Sequence, residues 1–138
     1  MKFKLSSIAF ITLLPTLILG SCVSTVERLD GKRLRVGSPE FRDYALDVFK
    51  RNNSTLTVLF DAIDQAGDED ALRLEIAEEQ MIEACETLNS AAAARRDGKQ
   101  LGVGILRTIS STIRPCDEAT SEADQLIMEI SAVSLPAV

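Results

Sequence analysis

Four glutamates, Glu75, Glu79, Glu83 and Glu86, recur at steps of four and three with no lysine among them. On a helix that spacing puts all four carboxylates on one flank. Like charges at i,i+4 cost roughly 0.2–0.5 kcal/mol per pair, so the strip invites a compensating cation. A basic protein surface is the candidate partner. Carboxylates also suit calcium or magnesium, but a straight helix strings these groups along a line and forms no cage, so no metal site is assigned. Asp61, Asp64, Asp68, Glu69 and Asp70 crowd a second segment, where the ordered Asp-x-Asp-x-Asp-Gly spacing of a calcium loop is absent. Leu101-Gly102-Val103-Gly104 lacks the third glycine and preceding strand of a dinucleotide fingerprint. The chain has no histidine, which removes Ser-His and Cys-His pairs and the commonest general base. No catalytic residue and no cofactor is assigned, and a non-enzymatic role is expected.

Cysteine supplies the second candidate chemistry, at Cys22, Cys85 and Cys116. Lys2 and Lys4 precede a mostly apolar run from Leu5 to Leu19, closed by Gly20, Ser21 and Cys22. A basic start, a short apolar core and a small-residue cleavage site make a secretory signal. The run is shorter than the roughly 20 residues a spanning helix needs. Leu19-Gly20-Ser21-Cys22 resembles the lipobox of bacterial lipoproteins. The resemblance implies that residues 1–21 are removed as a signal peptide and that Cys22 is lipidated, carrying palmitate-type chains as the first mature residue. Because Val23 is not aspartate, it also implies an outer-membrane address facing the periplasm.

Residues 22–138 carry 13 basic and 21 acidic side chains, two lysines fewer than the whole chain, so the net charge moves from −6 to −8. Such acidity argues against nucleic-acid binding, which depends on neutralising phosphates. It favours encounter with a basic protein. The length suits one domain with a modest core.

Residues 22–37 read as a lipidated anchor and polar tether. Within it, Val26 to Leu29 and Lys32 to Val36 flank an Asp30-Gly31 turn signal and are candidates for a short hairpin. Arg28, Lys32, Arg33 and Arg35 lie near the anchor, where each could gain about 1 kcal/mol from anionic lipid. Ser38-Pro39-Glu40 starts a helix. Phe41, Ala45, Val48, Leu56, Leu59 and Ile63 give it one apolar face. Asn52 to Thr55 loosens it, and Gly67 is expected as its left-handed stop.

Asp68 is expected to cap a second helix running to about Arg96, with a stripe at Leu74, Ala77, Met81, Cys85, Leu88 and Ala92. Leu72 and Ile76 lie beside its acidic flank, making another helix a candidate cover there. After an Asp97-Gly98 turn, Leu101, Ile105, Ile109 and Ile113 recur at steps of four. Pro115 either kinks this third helix or begins a fourth. Residues 38–133 are therefore expected to form an all-α antiparallel bundle of three helices, or four if Pro115 breaks the last, with 134–138 as a tail.

Cys85 and Cys116 lie about equally far from the Asp97-Gly98 turn, so an antiparallel pairing sets them at one height. Export to an oxidising compartment favours a disulfide between them. Taken together, address, charge and fold class suggest a lipid-anchored envelope protein acting as a helical interaction module, an assembly accessory or an inhibitor of a basic envelope protein. The alternatives are a carboxylate-dependent envelope hydrolase and a self-associating structural lipoprotein.

Overall fold

The computed structural model describes residues 24–134. Their elements are β1 (Thr25–Glu27), β2 (Arg33–Arg35), α1 (Pro39–Gln65), α2 (Asp68–Arg96) and α3 (Val103–Ser134). The three helices pack together as an all-α bundle. Arg73 pairs with Glu129, and Cys85 with Cys116, so α2 and α3 run antiparallel. Tyr44 meets Asp117 and Thr55 meets Asp124, so α1 and α3 run parallel. The chain goes up, down and up, as short connections between helices require.

Local chemistry sets the helix ends. Ser38 Oγ accepts the Phe41 amide at 3.2 Å, and Pro39 occupies the first helical position of α1. At the close of α2, Gly98 adopts φ 74°, a left-handed geometry open to glycine, while its N–H bonds the Arg95 carbonyl. Two expected ends differ. Gly67 is not the left-handed stop of α1: that helix ends at Gln65 with Ala66 as its extended cap, whose amide bonds the Ile63 carbonyl, and Gly67 is the extended cap residue of α2. Asp68 therefore lies inside α2, where it joins Glu69 and Asp70 in complementing the positive end of the helix dipole. Pro115 breaks nothing: α3 is one helix through it. The ring stands exposed, while Ile113 and Cys116 on either side are fully buried. Packing of those neighbours offsets the lost backbone hydrogen bond.

The core runs along the bundle axis through Phe41, Val48, Leu59, Leu74, Met81 and Ile113, all at most 2% exposed. α1 stays helical through Asn52 to Thr55, and Asn52 and Thr55 face inward at 2% and 3% exposure. They are tolerated there because each finds a partner, Asn52 in Asn89 and Thr55 in Asp124. Ile105, expected on the inner stripe of α3, remains 39% exposed. It lines an open groove beside Ser90 and Ala91 of α2, whose small side chains do not cover it.

Within the stretch expected as a tether, residues 25–35 form the hairpin suggested by Asp30-Gly31, pairing Val26 with Leu34. Those two side chains are 6% and 4% exposed and join the core cluster. A two-stranded ribbon is marginal alone; the bundle surface supplies the missing apolar layer.

Candidate functional site

The outer face of α2 is built by its inner one. Burial of Leu74, Met81, Cys85 and Leu88 fixes the rotation of the helix. At about 100° per residue, Glu75, Glu79, Glu83 and Glu86 must then project away from the core. All four are exposed. The strip extends for roughly 16 Å along the axis. Leu72 falls within the same angular sector, and Ile76 and Ile82 lie at its two margins. No other helix covers them: they are 57%, 48% and 46% exposed. The face thus alternates aliphatic side chains with carboxylates. Beside it runs a groove of about 260 Å³ between α2 and α3, with Ile76, Ala77 and Leu126 among its apolar walls and Glu122 on the α3 side. Arg73 closes one end, bonded to Asp70 at 3.1 Å and to Glu129 at 3.0 Å. From there to Arg95, α2 carries no cation. Such a surface can accept the aliphatic and cationic groups of a partner together.

Cys22 lies outside the described residues. Cys85 and Cys116 form a disulfide linking α2 to α3, with a Cα–Cα distance of 4.6 Å. Both are fully buried. The bond ties the two helices at mid-height behind the acidic face and holds that face in one orientation.

A polar cluster under the hairpin was not expected from the sequence. Asp117 is 3% exposed. It accepts a 2.7 Å hydrogen bond from the Tyr44 hydroxyl and forms an ion pair with Arg51. Arg28 from the hairpin places its guanidinium 5.1 Å from the centre of the Tyr44 ring. Both carboxylate oxygens of Asp117 are engaged, so the cluster locks hairpin, α1 and α3 together and leaves no free acid facing a cleft. The available signal was positional. Asp117, Thr120 and Asp124 repeat at steps of three and four on the stripe that also carries Ile113 and Cys116.

Burial, reinforced by the bond to Asp117 and its negative charge, pushes the Tyr44 phenol well above its ordinary 10.0. A pKa raised in the folded state stabilises below the unfolded value, and that stability is lost as pH rises past it. Tyr44 is the single tyrosine, so ultraviolet titration reads it alone. Phenolate should be absent at the ordinary tyrosine pKa and should appear together with alkaline unfolding. Phenolate forming near 10 in folded protein would show the buried bond to be wrong.

No family model, curated protein or solved structure matches this chain. Among the described residues, no helix is long and apolar enough to cross a membrane, and no group of three or more histidine, cysteine or acidic side chains could hold a metal ion.

Proposed function

We propose that this chain is a lipid-anchored helical interaction module of the bacterial cell envelope. Lipidated Cys22 would hold it to the membrane, on the outer-membrane side facing the periplasm. The α2 face would bind an envelope protein through a basic, partly aliphatic surface. The observation carrying this reading is the uncovered alternation of Leu72, Ile76 and Ile82 with Glu75, Glu79, Glu83 and Glu86. Exposed apolar groups ringed by one sign of charge suit docking, in which apolar contact supplies affinity and charge supplies steering and selectivity.

The test is affinity capture from envelope extracts, comparing the native domain with one carrying Glu75→Gln, Glu79→Gln, Glu83→Gln and Glu86→Gln. These changes relieve repulsion along the helix, by roughly 0.2–0.5 kcal/mol per pair, so the fold should gain slight stability. Recovery of basic proteins should nevertheless fall about tenfold or more, a loss of about 1.4 kcal/mol in binding. Native capture should weaken with added salt. Recovery of the same proteins at unchanged yield would remove the docking face.

A further inference from the structure

The two ends of the bundle differ in charge, and the chain enters at only one of them. Ser24, the first described residue, accepts the Val36 amide at 2.9 Å, and Ser38 opens α1 two residues later. The entry point therefore lies at the α1 start. The same end holds the close of α2, the 97–102 connection and the first turn of α3. A cleft of about 450 Å³ brings these parts together, lined by Arg42 and Leu46 of α1, Arg95 of α2, and Leu101 and Leu106.

Around this end stand Arg35, Arg42, Arg95, Arg96, Lys99 and Arg107, all exposed. Arg96 pairs with Asp97 at 3.8 Å. Among the described residues the other five form no ion pair. Glu40, Asp43, Asp47 and Asp97 are the acids of this end, with Glu86 beside Ile105 in the adjoining groove, and the six cations leave a small positive surplus. Three aliphatic side chains are also uncovered there: Leu46 at 51%, Val103 at 85% and Ile105 at 39% exposure. The opposite end carries Asp61, Asp64, Asp68, Glu69 and Asp70. It lies about 40 Å away along the 27 residues of α1. By contrast, two cations of the hairpin are already in use: Arg28 pairs with Asp30, and Arg33 with Glu27.

We infer that this basic, aliphatic-studded end is a membrane-facing surface that seats on anionic phospholipid and stands the bundle upright, with its acidic end outward. The inference rests on the proposed anchor at Cys22. Cys22 precedes Ser24 by two residues, which span at most about 7 Å. A lipid there keeps Ser24 within that reach of the headgroups and the α1 start close behind it, and the packed hairpin leaves little slack for the body to turn away. Cations at this distance are attracted to anionic lipid, and each is worth about a fivefold change in population. Val103 and Ile105 can enter the boundary between headgroups and acyl chains, which a soluble polyanion does not offer. Upright seating would present the α2 face sideways to neighbouring envelope proteins.

The chain contains no tryptophan, so Val103→Trp supplies a single fluorescent reporter at the proposed contact. The full lipidated protein would be purified with this substitution. It would then be mixed with phosphatidylcholine vesicles, with and without phosphatidylglycerol, and followed by flotation and emission. With phosphatidylglycerol, the emission should shift to the blue and be quenched by brominated acyl chains. Adding Arg42→Gln, Arg95→Gln, Lys99→Gln and Arg107→Gln should lower the seated population about tenfold or more while flotation persists. Flotation on both vesicles with unshifted, unquenched emission would overturn the seating and spare the anchor. Flotation and shift only with phosphatidylglycerol would remove the anchor and keep the surface. A shift reproduced by soluble polyphosphate, without lipid quenching, would overturn the membrane assignment.

Discussion

Replacing Cys85 and Cys116 together by alanine should cost this domain about 3–4 kcal/mol of unfolding free energy. The bond closes a loop of sequence separation 31 and joins two fully buried positions. Loop-closure entropy in the unfolded chain is the main source of the effect, and lost sulfur packing adds to it. In a domain of this size, 1 kcal/mol moves the thermal midpoint by about 4 °C. A fall of roughly 15 °C is therefore expected. Urea unfolding of the native and doubly substituted proteins checks the free energy directly. A difference below 1 kcal/mol would mean that α2 and α3 hold together without the bond. The consequence reaches the acidic face, because α2 is then held in register by side-chain packing and by non-covalent polar links such as Arg73–Glu129.

Asp117→Ala should be the most damaging single substitution, with an expected loss of roughly 3 kcal/mol. It leaves the Tyr44 hydroxyl, in a residue only 3% exposed, without its acceptor. It also leaves the Arg51 guanidinium unpaired. Arg51 is 35% exposed at its side chain, so water can reach it, which places the loss at the lower end for a broken buried pair. Asp117→Asn separates the two contributions. It keeps an oxygen for the Tyr44 hydroxyl and removes the charge together with the acceptor facing Arg51, so it should cost about half as much. Chemical denaturation of both variants is the check. Equal losses would assign the whole effect to the pair with Arg51. No measurable loss in either would show that the cluster is not holding the hairpin on the bundle.

The contrast between these two sites shows what the sequence reveals and what it conceals. The disulfide is legible because helical periodicity and an evident turn at Asp97-Gly98 place both cysteines at one height. The three helices are legible for similar reasons, since aliphatic residues report their own burial. The polar cluster is not legible. Tyr44, Asn52, Thr55 and Asp117 resemble surface residues by type, and only their partners on other helices make burial affordable. Tertiary context also decides the fate of the aliphatic residues: Ile105 fits the α3 period yet meets only small side chains across the groove. The hairpin falls between these cases. Its turn signal is local, but its stability depends on Val26 and Leu34 finding the bundle. The acidic strip was readable from spacing, while the exposure of Leu72 and Ile76 along it depended on where the third helix lay.

In the proposed function the polypeptide is held at a membrane by its first mature residue and acts by contact. Intact-mass and peptide analysis of the protein recovered from bacterial membranes addresses this directly. The predicted result is a chain beginning at Cys22, heavier by palmitate-type fatty-acyl chains, that moves to the soluble fraction after Cys22→Ala. An N-terminal peptide containing unmodified Cys22, with membrane partitioning indifferent to its replacement, would contradict it.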